Sequence, residues 1–391
     1  MAAPLEGLLE RIAEIRPMLM QNAAKTEEYR QVVEENISAL EDAGAFKIMV
    51  PKRYGGYEGT VKQKLQVSRE IAMGCGSTAW VTALQNVCAY FTGKMSKQCQ
   101  DDVWASTPDA RVAGVFTPVM ESRKVDGGIR ITGTWDWASG VMHADWLFLG
   151  AMLFDDAGVP MYPVMTITPK SEFTIEDTWF MSGMKGTASN RVVAKDVFVP
   201  DHRMHSVPAL LSQTYDTPFT DEVLYRTSFV PMAALVLAGP QLGLAQAALD
   251  YTIAKAPTRG ITYSEWERQT DSPTFQIAIA KAAVLVDTAH LFAYRAADAI
   301  DEAALENRPM EYVERARVRS DTGVSISSAR EAIRILCSAH GAGSFADASP
   351  MQRWWRDSEV SSRHAVIMPE TSELIYGRAL LGFTDGISIL V

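Results

Sequence analysis

Residues 341–377 read GAGSFADASPMQRWWRDSEVSSRHAVIMPETSELIYG. Gly341 and Gly343 mark a turn, and Pro350 then opens a helix that carries Trp354-Trp355-Arg356-Asp357. The spacing predicts that this helix runs over 350–366, with a lone His364 on its last turns. A second helix starts at Pro369 with Thr371-Ser372-Glu373 in its first turn. Two short helices hinged on prolines and holding one imidazole make a compact constellation at the end of a long chain.

Working outward, the segments 274–306 and 310–339 are long and amphipathic, and 229–253 is nearly all apolar or small. Short apolar or alternating runs separated by Gly, Asp and Pro fill the middle, at 112–117, 128–137, 145–152, 161–168 and 191–200. They predict an antiparallel β domain, barrel or sandwich. At the N-terminus Leu5, Leu8, Leu9, Ile12, Ile15 and Leu19 recur at helical spacing, and Val32, Val33, Ile37 and Leu40 repeat the pattern up to Gly44. PKRYGGYEG at 51–59 breaks the helices, which resume around 62–73 and 77–92. The chain is therefore read as α+β in three parts: an N-terminal helical domain (1–108), a middle antiparallel β domain (109–218) and a C-terminal helical bundle (219–391).

Composition narrows the function. A chain of 391 residues, 47% apolar and 21% charged, suits a globular protein of two or three packed parts. Its net charge of −10 disfavours nucleic acid or anionic membrane as partner. No apolar run is read as reaching the roughly eighteen residues of a membrane span, and MAAPLEGLLERIAEI lacks the apolar core of a signal peptide. Cys75, Cys88, Cys99 and Cys337 show no metal spacing, which points to reduced thiols and a cytoplasmic location. No Gly-rich dinucleotide or P-loop motif is present, so NAD(P)H is not expected in a Rossmann site.

Five stretches, in order and over essentially the whole length, carry a resemblance: VPKRYGG at 50–56, GTWDW at 133–137, MSGMKGTASN at 181–190 with VFVP at 197–200, AGPQLGLAQAALD at 238–250, and the terminal signature. Together they resemble the acyl-CoA dehydrogenase superfamily, which implies the same three-part fold. One change is informative. The dehydrogenases carry Ile-Tyr-Glu-Gly before Thr-Ser-Glu, and that Glu often removes the substrate α-proton. Here the run is Ile367-Met368-Pro369-Glu370, with proline at the carboxylate position. With His364 upstream, the chain is similar to the flavin-dependent monooxygenases that resemble the oxygenase component of two-component p-hydroxyphenylacetate hydroxylase.

The resemblance implies a site. The dehydrogenases' Trp-Ile-Thr-Asn becomes Trp137-Ala138-Ser139-Gly140, so Trp137 would lie against the isoalloxazine and Ser139 would hydrogen-bond flavin N5, slowing decay of a C4a-hydroperoxide. His143-Ala144-Asp145-Trp146 follows, as the hydroxylases favour. Thr117 would line the pyrimidine edge and the substrate; Arg259, Gly343 and Lys185 would serve the cofactor's periphery. His364 would take a phenol proton or, if cationic, stabilise anionic reduced flavin. Cys88, with Asn86 nearby, stands where phenol hydroxylases often have a His, so the substrate end departs from the pattern. Each residue also has a plain structural role open to it, as strand end, turn or core.

The implied activity is oxygenation of an aromatic or polycyclic small molecule, with reduced FMN or FAD as diffusible cosubstrate, O2, and a separate NAD(P)H:flavin reductase. The expected assembly is a homotetramer. Two other activities stay open: N- or S-oxygenation on the same scaffold, and an acyl-CoA dehydrogenase-type FAD oxidoreductase with its base moved to Glu370 or Glu373.

Overall fold

The structure, a computed structural model, describes residues 5–119, 121–155, 157–384, 387–388 and 390–391. The first four residues of the expected N-terminal domain lie outside the described residues. Five helices come first: α1 (Leu8–Glu28), α2 (Glu34–Ala43), α3 (Val61–Gly74), α4 (Gly76–Gly93) and α5 (Lys97–Trp104). Eight strands follow: β1 (Val112–Val119), β2 (Glu121–Val125), β3 (Gly128–Ala138), β4 (Trp146–Phe154), β5 (Pro160–Pro169), β6 (Thr174–Glu176), β7 (Asn190–Pro200) and β8 (Met204–Ser206). Seven helices close the chain: α6 (Val207–Leu211), α7 (Phe229–Leu235), α8 (Ala238–Lys255), α9 (Pro273–Leu305), α10 (Tyr312–His340), α11 (Pro350–Ser361) and α12 (Pro369–Leu380).

Local chemistry explains the boundaries. Gly44 ends α2 at φ 87°, in the left-handed region that only glycine enters cheaply. Thr60 and Gln63 form a capping box at α3, and Asp301 of α9 accepts from Val61 N at 2.9 Å and Lys62 N at 3.2 Å, tying α9 to the same helix start. Ser272-Pro273 and Ser349-Pro350 open α9 and α11, each serine accepting from a backbone N–H of the first turn.

The strands form two four-stranded sheets, ordered β1-β4-β5-β8 and β2-β3-β7-β6. Their facing apolar residues, among them Ala113, Ile131, Trp135, Leu149 and Val192, share one core, so the middle part is a sandwich. The expectation of purely antiparallel pairing is corrected at one edge. β1 pairs with β4 in parallel, Val112 opposite Trp146, because the long excursion through β2 and β3 returns the chain in the same direction. The short strands β2, β6 and β8 escaped the sequence reading, being too polar or too brief to show alternation.

N-terminal and C-terminal helices share a second core that runs from Leu8 to Ile367. The membrane expectation also needs correcting: two helical stretches among the described residues are long and apolar enough to span a bilayer. Phe229–Thr258 is 89% buried inside the protein, whereas Pro273–Leu305 is only 22% buried. Along that second helix Ile277, Val284, Leu291 and Leu305 stand exposed. They lie seven residues or a multiple of seven apart, hence on one stripe.

Candidate active site

β3 delivers the aromatic strand end. Trp135 is core, its Nε1 donating to Gly150 O at 2.8 Å. The β3–β7 register then slips between Trp135 and Ala138, and Trp137 adopts φ 71°. A bulky residue in the left-handed region is strained, and a bulge of this kind re-aims a side chain. Trp137 is accordingly turned outward, 62% exposed, and packs edge-on against Trp179 at 5.2 Å. Phe180 beside it is also exposed.

Two residues on, Ser139 is buried, and its Oγ accepts from Trp80 Nε1 at 3.2 Å. Oγ also contacts Ser189 Oγ at 2.7 Å; Ser189 Oγ contacts Thr187 Oγ1 at 2.7 Å; and Thr187 Oγ1 donates to Met184 O at 3.0 Å. The 181–190 loop that carries these hydroxyls is clamped from both sides. A Cβ on Gly183 would fall 2.2 Å from Arg356 O, and one on Gly186 would fall 2.3 Å from Thr26 Cγ2. Only glycine allows those approaches. The buried Asp357 carboxylate accepts from Met184 N at 2.5 Å, and burial pushes its pKa up to about 6. The WWRD motif thus fastens the loop behind Ser139.

His364 is not on the helix expected to carry it. α11 stops at Ser361, because Ser361 Oγ donates back to Asp357 O at 2.6 Å while buried Gln241 donates to Ser358 O at 2.9 Å and to Ser361 Oγ at 2.7 Å. His364 instead caps the short turn Ala365–Ile367, its Nδ1 accepting from Val366 N at 3.4 Å. Its ring lies 6.1 Å from Trp80. The side chain is exposed to solvent, yet desolvation lowers its pKa. Both hold for an imidazole on the wall of a recess, where a probe reaches the ring but protein displaces most bulk water. At neutral pH the ring is uncharged.

Trp80, on α4, therefore bridges Ser139 and His364 across one groove. It went unassigned in the sequence although it sits in Ser77-Thr78-Ala79-Trp80, immediately upstream of Cys88. Ser189 and Asp357 were likewise unassigned; the Ser-rich end of the 181–190 loop and the WWRD motif were their only signals.

The other expected residues divide. Thr117 is exposed on β1 beside Phe116, where the β1–β4 register shifts. Lys185 pairs with Glu27 at 3.3 Å, and Glu27 also pairs with Arg356. Cys88 is buried, its Sγ 3.1 Å from where a Cβ on Gly114 would sit, and burial pushes the thiol up to about 12, so it stays protonated. The Asn86 amide is committed to structure, donating to Ala45 O at 2.8 Å and Thr82 O at 3.0 Å. His143, of the His-Ala-Asp-Trp run, is buried with Nε2 2.9 Å from Val32 O.

Arg259 and Gly343 meet in a separate cluster. Arg259 bonds the His340 ring (2.9 Å to Nδ1), and its guanidinium lies 3.4 Å from where a Gly343 Cβ would be. Among the described residues no hydrogen bond or ring contact links this cluster to Ser139. A cavity of about 450 Å3 lies elsewhere again, between residues 212–226 and 307–309. The Trp137–His364 groove is open along one side, as the exposure of Trp137 requires, and so is not a closed hollow.

The groove fits a flavin. It offers an exposed indole as a flat apolar wall, a buried hydroxyl with lone-pair capacity left after its contacts to Trp80 and Ser189, and a neutral imidazole across from it. Residues 12–104 match the family "Acyl-CoA dehydrogenase, N-terminal domain" and residues 235–369 match "Acyl-CoA dehydrogenase, C-terminal domain". The flavin-dependent monooxygenase oxygenase subunit HsaA of Rhodococcus jostii is 31% identical over 96% of this chain and 98% of its own length. The FADH2-dependent resorcinol hydroxylase oxygenase component of a Rhizobium species is 32% identical over 97% of this chain and 95% of its own. The structure of XiaF from a Streptomyces species, in complex with FADH2 and glycerol, superposes with a TM-score of 0.93 at 33% identity, covering 98% of this chain and 97% of that one. With monooxygenases as full-length relatives and Pro369 at the dehydrogenase base position, this chain belongs to the acyl-CoA dehydrogenase-fold family of flavin-dependent monooxygenases, as an oxygenase component.

Proposed function

We propose that this protein takes reduced FMN or FAD from a separate NAD(P)H:flavin reductase and uses O2 to hydroxylate an aromatic or polycyclic small molecule. The observation that carries this reading is the Trp80 bridge, which sets the Ser139 hydroxyl and the neutral His364 imidazole on one groove. Bound there, reduced flavin supplies the oxygen activation. Trp137 lies along the isoalloxazine face, Ser139 meets N5, and Thr117 lines the pyrimidine edge and the substrate. His364 accepts the substrate's hydroxyl proton through Nε2, because its Nδ1 is occupied by Val366 N–H. Its lowered pKa favours this base role over a cationic one. Cys88 forms an apolar wall at the substrate end, and Asn86 fixes α4 behind it. That leaves acid–base chemistry to His364 alone. Lys185 holds the loop against α1, and Arg259 with Gly343 serves cofactor phosphates.

Glu370 and Glu373, the carboxylates a dehydrogenase reading would need, are both exposed at the start of α12. The units 1–108, 109–218 and 219–391 are the parts of this reading. The exposed stripe on α9 supports a homotetramer, and four buried cysteines without disulfides support a cytoplasmic location. Anaerobic titration with reduced FMN and FADH2, followed by 18O2 and a panel of phenols, tests the activity. Micromolar binding and one 18O atom in the product are expected; absence of both would overturn the reading.

A further inference from the structure

The hydroxyls behind Ser139 are directed. Three short O···O contacts run in series: Met184 O to Thr187 Oγ1 at 3.0 Å, Thr187 Oγ1 to Ser189 Oγ at 2.7 Å, and Ser189 Oγ to Ser139 Oγ at 2.7 Å. Three hydroxyl protons are available to fill them. A carbonyl cannot donate, so the first contact takes the Thr187 proton. The second must then take the Ser189 proton, and the third the Ser139 proton. Any other order leaves two lone pairs facing each other at hydrogen-bond distance inside a buried network. The carbonyl end is itself fixed, since Met184 N donates to Asp357 and Trp179 Nε1 donates to Met184 O at 2.9 Å.

Ser139 thereby spends its only proton inward. Its Oγ accepts from Trp80 Nε1 on one lone pair, and the other remains for the groove. We infer that the Thr187–Ser189 relay makes Ser139 a pure acceptor toward the groove, and that this polarity selects reduced flavin over oxidised flavin. The inference rests on the reading that Ser139 faces N5. Reduced flavin carries a hydrogen on N5 and donates to the waiting lone pair. Oxidised flavin presents a bare N5 lone pair, and the two acceptors repel. A site so polarised loads the reduced cosubstrate and discharges the oxidised one without any moving part. Thr187 and Ser189 are positioning residues in this scheme: they act through Ser139.

The test is binding, not turnover. Affinities for oxidised FMN and FAD, and for the same flavins reduced anaerobically, are measured on the full chain and on Ser189→Ala. The wild type binds the reduced form about tenfold or more tighter, tenfold being about 1.4 kcal/mol. In Ser189→Ala the Ser139 proton is released to point into the groove, so the oxidised form gains about tenfold. A damaged site would lose affinity for both forms, so this gain separates the relay from misfolding. Ser189→Thr keeps the hydroxyl and is expected to keep the wild-type ratio. An unchanged ratio in Ser189→Ala, with Ser139→Ala altering it, overturns the relay alone. If Ser139→Ala changes neither affinity, the placement of Ser139 at N5 fails and the relay inference falls with it.

Discussion

Trp80→Phe isolates the bridge between the two halves of the site. Phenylalanine keeps an aromatic ring beside His364 but removes the Nε1–H that donates to Ser139 Oγ at 3.2 Å. Both partners are buried, at 6% and 7% exposure, so no water replaces the lost donor. A hydrogen bond of this kind contributes about 1 kcal/mol net, or roughly fivefold in affinity. The smaller ring also leaves a void, which lowers stability independently of flavin. A double-mutant cycle separates the two effects. Reduced-flavin affinity is measured anaerobically for the wild type, Trp80→Phe, Ser139→Ala and the double variant. If Trp80 acts by holding the Ser139 hydroxyl, its effect on affinity vanishes once that hydroxyl is gone, giving a coupling of about 1 kcal/mol. The void changes thermal stability equally in both backgrounds. Strict additivity of the two affinity losses would refute the bridge, because Trp80 would then be acting on flavin without Ser139.

Three further outcomes are expected. Desolvation lowers the His364 pKa, so the imidazole is neutral through pH 7 and the acidic limb of the hydroxylation rate lies below 6.5; His364→Asn removes that limb and costs about 10²–10⁴ in rate while flavin still binds, and a limb that persists in the variant would exclude His364 as the base. Burial raises Asp357 from 3.8 to about 6, so the folded state holds its proton longer than the unfolded state, and this contribution is lost as pH rises through that window. Relative to wild type, Asp357→Asn therefore gains about 3 kcal/mol between pH 4 and pH 7, or ~4 °C in midpoint for a chain of this size; a midpoint difference that does not change with pH would show the carboxyl to be unperturbed. Val284→Glu with Leu291→Glu puts charge on the exposed α9 stripe, and light scattering should show the wild-type assembly falling to a smaller species; a monomeric wild type would remove the tetramer from the reading.

The sequence by itself determined the order of elements. Helical periodicity from Leu8 to Leu40, alternation in β3, β4, β5 and β7, and proline starts at α9, α11 and α12 are local signals, set by which face of each segment must leave water. It also exposed the loss of the dehydrogenase base, because one residue type at one position carries that information. The tertiary structure alone decided where His364 sits: α11 ends early through Gln241, a residue more than a hundred positions upstream. It alone made β1 and β4 parallel and brought Trp80 between Ser139 and His364. The polarity of the Ser139 hydroxyl was hidden most deeply. It depends on counting protons across residues 139, 184, 187 and 189, which meet only once Gly183 and Gly186 have let the loop press against its neighbours. Periodicity reports which way a side chain faces, whereas donor and acceptor roles follow from partners that folding brings together.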